Sequence, residues 1–200
     1  MPLHEGSSIG RQGSARGDAA PALGLNRSAK RVFDVLAAVT GLTLFSPIIL
    51  IASIAIKLDS RGPIFCRETQ YGYKRAIRVL KFRSQTTCAE GGRGNLRMTQ
   101  VGRILRRSGI DKLPQLFNVL AGDMSIVGPR PFVTRPDQFE NYPTPLLISG
   151  VKPGLIGYGR ITEFRRGFST TEQRVNDDLH YAQNWSLFLD IKLILTKLLT

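Results

Sequence analysis

A run of 22 residues without a charged side chain, residues 35–56, constrains the fold more than any other part of the chain. About 20 apolar residues are enough to cross the hydrocarbon core of a bilayer. Basic residues flank the run on both sides, with Lys30 and Arg31 before it and Lys57 and Arg61 after it. Basic flanks favour the cytoplasm, so both ends of the run are expected on the same side of the membrane.

The pair Ser46-Pro47 in the middle of this run predicts a kink. Pro47 has no backbone N–H to donate to the carbonyl of Thr43, and its ring crowds that turn. The hydroxyl of Ser46 can donate to a freed carbonyl from within the helix. A helix broken here could return to its own side, whereas a plain transmembrane helix and a buried core helix are the alternatives.

Asp111 directly precedes a set of apolar residues spaced as one face of a short helix, which are Leu113, Leu116, Phe117 and Leu120. Aspartate is a favoured N-cap residue, and Gly122 suits the position just past the end of this helix. A carboxylate at a helix start interacts with the positive end of the helix, so we expect Asp111 to be ionised at neutral pH. Helix capping is one role for Asp111, and nucleophilic attack is the other.

Basic side chains near Asp111 indicate a phosphorylated substrate. Arg130 lies between two proline rings, and a guanidinium held in this way suits bidentate phosphate binding. Arg106 lies in a predicted short amphipathic helix, and Lys81 and Arg83 lie in the second strand of a predicted hairpin around Gly72. Residues 57–131 hold 15 basic and 5 acidic residues, so they carry +10 of the net charge of +13. A carboxylate among fixed cations can act as a nucleophile toward phosphorus.

Several motifs resemble the signature of the bacterial sugar transferases. This family comprises the monotopic polyprenol-phosphate phosphoglycosyl transferases that begin exopolysaccharide and glycoconjugate assembly. The resemblance covers about residues 29–199 and rests mainly on residues 113–120 (Leu-Pro-Gln-Leu-Phe-Asn-Val-Leu), 122–125 (Gly-Asp-Met-Ser) and 127–131 (Val-Gly-Pro-Arg-Pro). Ser46-Pro47 matches the break of the family's re-entrant helix, and Asp178 matches its acidic position in an Asp-x-x-Tyr-x-x-Asn segment.

The resemblance implies an α+β, mainly helical, monotopic membrane protein. It would consist of a re-entrant helix-break-helix and a small cytosolic catalytic domain with a short β-hairpin and amphipathic interfacial helices. The expected boundaries are a disordered cytosolic tail at residues 1–28, the membrane helix at 29–58 and the catalytic domain at 59–200. The expected location is the cytoplasmic face of the bacterial inner membrane.

The resemblance also implies a reaction. A UDP-sugar would transfer its sugar-1-phosphate through an aspartyl intermediate on Asp111 to polyprenol (undecaprenyl) phosphate. Mg²⁺ would be the cofactor, with Asp111 as a ligand. The expected substrate- or phosphate-binding residues are Lys81, Arg83, Arg106, Arg130 and Asp178. Membrane lipid and other polysaccharide-assembly enzymes are the further partners expected.

Lys112 departs from the family, which carries glutamate at this position. An ammonium cannot bind Mg²⁺ and repels it by about 4 kcal/mol per pair of unit charges at 4 Å when the effective dielectric constant is near 20. The alternative function is therefore an impaired family member that acts as a membrane scaffold in polysaccharide assembly.

Two other features bear on partners and redox state. A nucleic-acid binder does not fit, because aromatic residues are not interleaved with the basic ones and the apolar run would be unexplained. Cys66 and Cys88 have no metal-binding spacing and are expected to be reduced and without a role.

Overall fold

A long N-terminal helix lies against a small mixed domain in the computed structural model, which describes residues 19–71, 76–86, 88, 97–131, 151–159, 161 and 171–198. The elements in chain order are α1 (Ala19–Asp59), β1 (Phe65–Tyr71), β2 (Ala76–Phe82), α2 (Gln100–Ser108), a 3-10 turn (Ile110–Lys112), α3 (Gln115–Ala121), β3 (Ser125–Val127), β4 (Gly154–Ile156), α4 (Thr171–Gln183) and α5 (Leu187–Leu198). The predicted mainly helical α+β class with a hairpin is confirmed. The predicted turn at Gly72 and loop at residues 132–149 lie outside the described residues.

Helix α1 contains Pro47 and continues through it to Asp59. The hydroxyl of Ser46 donates to the carbonyl of Thr43 at 2.8 Å, so the carbonyl that loses its donor at Pro47 is satisfied as predicted. The helix begins at Ala19, inside the segment predicted as a tail; residues 1–18 lie outside the described part. Among the described residues, Ser28–Asp59 is the one helix long and apolar enough to cross a membrane.

Both ends of the apolar run, residues 35–56, pack on the same domain. Ala38 joins the cluster of buried side chains that includes Leu116 and Val119. Ala52 and Ile56 join a second cluster, whose other buried members are Phe82 and Leu105. Between these two ends, residues 43–51 include no buried side chain.

A network of buried polar groups joins the N-terminal flank of α1 to β3 and α5. The carboxylate of Asp34 accepts from the hydroxyl of Ser125 at 2.9 Å and from the backbone N–H of Ile126 at 3.0 Å. Lys30 donates to the fully buried Asp190 of α5 at 2.7 Å. Buried ions need such partners, so this network fixes the start of the apolar run to the domain.

The hairpin of β1 and β2 is antiparallel, and Cys66 pairs with Lys81 in its register. Alternation along β2 buries Ile77 and Val79 and leaves Arg78 exposed, as period two predicts. Cys66 forms a disulfide with Cys88, with the two Cα atoms 5.5 Å apart. The expectation that both cysteines are reduced and without a role is therefore wrong, because the fold brings the segment after β2 back against β1.

A second, parallel pair is formed by β3 and β4, which the sequence analysis did not predict. The two strands come very close near Gly128 and Gly154. A Cβ on Gly154 would collide with the backbone of Gly128, and a Cβ on Gly128 would collide with the carbonyl oxygen of Lys152. Glycine is needed at both positions for this approach.

Candidate active site

Asp111 lies in the 3-10 turn between α2 and α3. Gly109 makes this turn possible with a φ of 75°, a left-handed conformation that glycine adopts at little cost. The N-cap of α3 is Pro114, which makes no side-chain capping bond. The prediction that Asp111 caps this helix is therefore wrong, whereas the predicted helix end at Gly122 is confirmed, with a φ of 87°.

The carboxylate of Asp111 is buried and incompletely bonded. The residue is only 8% exposed, and its Oδ1 atom has no hydrogen-bond partner. Burial raises the pKa of Asp111 above its usual range, and the charges of Lys112, Lys81 and Arg106 oppose that rise. The pKa of Asp111 is thus raised, whereas a helix start was expected to lower it. A buried carboxylate oxygen without a donor is costly, which makes Asp111 a candidate functional residue.

Lys81 reaches the site from β2. Its ammonium forms an ion pair with Glu68 of β1. Glu68 lies on the same face of the hairpin, two residues along from Cys66, the register partner of Lys81. Glu68 also accepts from the side-chain amide of Gln70 at 3.2 Å. Lys81 is thus a cation held by one carboxylate while its charge acts on another, that of Asp111.

Arg106 reaches the site from α2. Its Nε atom donates to the hydroxyl of Ser84 at 2.9 Å, which fixes the guanidinium beside the end of β2. The hydroxyl of Thr99 accepts from the backbone N–H of Gly102 at 2.9 Å and caps the start of α2. Gly102 packs directly on the backbone of Ser84, so only glycine allows α2 to lie this close to the hairpin.

Arg83 is used inside the fold. It is 1% exposed, and its guanidinium donates to the carbonyls of Arg61 and Ser60 at 2.7 and 2.6 Å. These bonds close the C-terminal end of α1, where helix carbonyls lack intrahelical donors. The predicted phosphate-binding role of Arg83 does not fit this position, because its terminal nitrogens are occupied by backbone oxygens.

Two further predicted residues, Arg130 and Asp178, are not among the charges that act on Asp111 within the described part of the chain. Those charges belong to Lys112, Lys81 and Arg106. Arg130 is exposed just after β3, and Asp178 is buried on α4. Their predicted roles in substrate binding stay predictions.

Asn118 is a residue that the sequence analysis missed. It is buried in α3, and its side-chain amide spans two backbone groups of β2. The only sequence signal is a polar residue among the apolar residues of a short helix, which does not reveal its partner.

The described residues offer little to a divalent metal. No group of three or more His, Cys, Asp or Glu side chains lies close enough to hold one in the part of the chain that the structure describes. Oδ1 of Asp111 is a single potential oxygen ligand, and the positive charges of Lys112, Lys81 and Arg106 act on this carboxylate. Mg²⁺ is usually held by one or two carboxylates together with substrate phosphates, so these residues fit a protein-bound ion poorly.

Comparison with known proteins assigns the chain to a family. Residues 25–200 match the model of the bacterial sugar transferases, and the chain therefore belongs to this family. The predicted family and the predicted enzyme class, a sugar transferase, are confirmed.

The names of three similar proteins describe similar reactions. The chain is 44% identical over 179 residues to a UDP-glucose:undecaprenyl-phosphate glucose-1-phosphate transferase of Caulobacter vibrioides, covering 83% of this chain and 67% of the relative. It is 40% identical over 189 residues to an enzyme of the same name from Escherichia coli, covering 87% of this chain and 40% of that protein. It is 38% identical over 175 residues to a UDP-N-acetylgalactosamine-undecaprenyl-phosphate N-acetylgalactosaminephosphotransferase of Aeromonas hydrophila, covering 82% of this chain and 41% of that protein. The chain thus spans about two thirds of the first relative and well under half of the other two.

Proposed function

We propose that the chain transfers a sugar-1-phosphate from a UDP-sugar to undecaprenyl phosphate through a covalent intermediate on Asp111. The observation that carries this proposal is the buried Asp111 carboxylate, which has an oxygen without a partner and cations from three elements around it. The names of the three relatives support the donor and acceptor classes.

The first step is attack by an Asp111 oxygen on the β-phosphorus of the donor. A bond forms between this oxygen and phosphorus, the bond from phosphorus to the bridging oxygen breaks, and UMP leaves with that oxygen. Lys81 and Arg106 are placed to stabilise negative charge on the phosphoryl oxygens as the bridging bond breaks.

The second step regenerates the carboxylate. A phosphate oxygen of undecaprenyl phosphate attacks the phosphorus of the aspartyl-phosphosugar, and the bond to Asp111 breaks. Dividing one displacement into two in this way lowers the barrier of each. Magnesium stays a prediction, and no step here depends on it.

Helix α1 supports a location at a membrane surface. A straight helix rises 1.5 Å per residue, so a 22-residue run would place its ends about 33 Å apart, on opposite sides of a hydrocarbon core of about 30 Å. Both flanks of this run instead pack on one domain, at Ala38 and at Ile56. We therefore include in the proposal that α1, which is one continuous helix through Pro47, bends at Ser46-Pro47 and re-enters its own side of the bilayer, with the domain on the cytoplasmic face of the inner membrane.

A catalytically impaired membrane scaffold is the second candidate, and Lys112 is the observation that favours it. A cation follows the reactive carboxylate, and no cluster of three metal-binding side chains lies in the described residues. This candidate predicts the same membrane location without turnover.

The decisive experiment measures UMP release and lipid-linked product over a panel of UDP-sugars that includes UDP-glucose and UDP-N-acetylgalactosamine. Asp111→Asn is the control. The proposal predicts product from at least one donor, loss of product in the control and a sugar-phosphate adduct on Asp111 by mass spectrometry. Absence of product from every donor in the natural chain would favour the scaffold.

A further inference from the structure

The amide of Asn118 takes the place of a neighbouring strand along the free edge of β2. Its Oδ1 atom accepts from the backbone N–H of Leu80 at 2.8 Å, and its Nδ2 atom donates to the carbonyl of Arg78 at 2.8 Å. The other edge of β2 pairs with β1. Asn118 therefore ties α3 to β2 at the residue just before Lys81.

This contact lies between the two elements that carry the charged groups of the site. Asp111 lies in the turn that leads into α3, and Lys81 lies in β2. The backbone carbonyl of Asn118 also accepts from Asp123 and Met124 at 3.0 and 3.3 Å, which anchors the residue at the end of α3. A shift of α3 along β2 would change the spacing between Asp111 and Lys81.

Glu68 restrains the charged end of the Lys81 side chain. A lysine side chain has four rotatable bonds, so a fixed backbone does not by itself fix its ammonium. The ion pair with Glu68 supplies that restraint from β1, and Gln70 in turn holds Glu68. The Lys81 ammonium is thus paired with Glu68, and Oδ1 of Asp111 has no hydrogen-bond partner.

We infer that Asn118 and Glu68 are positioning residues that together hold the Lys81 ammonium beside the unpaired oxygen of Asp111. Asn118 sets the position of the strand and Glu68 sets the position of the side chain. In the resting protein the pair keeps a positive charge ready for a diphosphate without tying up the nucleophile. The inference rests on the proposed function, in which Asp111 attacks phosphorus.

The first test measures the position of Lys81 without turnover. The natural chain, Asn118→Ala and Glu68→Gln are treated in detergent with an amine-acetylating reagent, and the labelling rates of Lys81 and the exposed Lys197 are read by mass spectrometry. Both variants are expected to raise the rate at Lys81 several-fold while Lys197 is unchanged. Equal rates at Lys81 in all three proteins would overturn the inference, whether or not the chain turns over a UDP-sugar.

The second test asks whether both residues act through Lys81. Misplacing a catalytic group by about 1 Å can cost about 100-fold in rate, so each variant is expected to lower kcat by about 10- to 100-fold with less than about a threefold change in donor KM. In a double-mutant cycle, adding either change to Lys81→Met is expected to have no further effect. An equal further loss in the Lys81→Met background would assign both residues a merely structural role.

Ser186→Ala is the matched control, because it removes a side-chain-to-backbone bond that caps α5 at 3.1 Å. It is expected to lower stability without changing kcat or Lys81 labelling. Should Asn118→Ala fail to fold, Asn118→Asp retains the acceptor to Leu80 and loses the donor to Arg78, and Glu68→Gln tests the inference independently.

Discussion

The guanidinium of Arg83 donates to both the carbonyl and the hydroxyl oxygen of Ser60, at 2.6 and 2.9 Å. This joins the residue after β2 to the residue after α1. The end of helix α1 and the segment that follows the Lys81 strand are therefore bonded directly to each other.

Replacing Arg83 with lysine is expected to lower the free energy of unfolding by about 2–3 kcal/mol, because an ammonium cannot reproduce the fork that holds several backbone oxygens. Chemical denaturation in detergent measures this change. Arg67→Lys on the exposed face of β1 is the control and is expected to have almost no effect. Unchanged stability of Arg83→Lys combined with lost turnover would instead place Arg83 at the substrate.

Asp111→Asn is expected to stabilise the protein at neutral pH while abolishing turnover. Burial raises the pKa of Asp111 in the folded state, so the folded protein binds this proton more tightly than the unfolded chain. The stability of the natural chain therefore falls as pH rises through the folded pKa, and the neutral amide escapes that loss. Denaturation curves at acidic and neutral pH should show the advantage of the variant shrinking as pH falls; a constant advantage would contradict the assignment.

Lys112→Glu is expected to raise Mg²⁺-dependent turnover well above that of the natural chain. The change replaces a charge that repels the metal with a carboxylate that can bind it. Lys112→Met is the matched control, since it removes the charge without adding a ligand. A fall in turnover for Lys112→Glu, together with robust Mg²⁺-dependent activity of the natural chain, would show that the lysine itself serves the reaction.

Tags at the N- and C-termini are expected to lie on the same side of the membrane. Protease digestion of sealed inside-out vesicles should remove both. Pro47→Leu restores the backbone donor to Thr43 and favours a straight helix, so it should increase the fraction of protected N-terminal tags. Ser46→Ala retains the proline and should have a smaller effect, and protection of the N-terminal tag in the natural chain would rule out re-entry.

The local features of the fold were predictable from the sequence because their partners lie within one or two turns. The bond from Ser46 to Thr43 and the left-handed Gly122 depend on neighbours three or four residues away. Lys30 also lies 3.7 Å from Asp34, four residues on, as a helix dictates.

The features that the sequence did not reveal depend on distant partners. Arg83 follows a strand whose exposed faces can carry basic residues, and its burial is decided by carbonyls 22 and 23 residues earlier. Asn118 finds its partners 38 and 40 residues away. The burial of Asp111 likewise arises from elements that meet only in the folded chain, and burial reversed the expected direction of its pKa shift.

In the proposed membrane arrangement, the bonds from Arg83 to the end of α1 mean that the length of the second half of α1 sets the depth of the candidate active site. Each residue of the helix adds a rise of 1.5 Å, and Arg83 bonds the end of the strand that bears Lys81 to the end of this helix. The phosphate of the proposed lipid acceptor would lie at a fixed depth, that of the headgroups. Inserting a full helical turn between Pro47 and Asp59 would lift the reacting groups about 5 Å away from it without altering a single side chain that touches the donor.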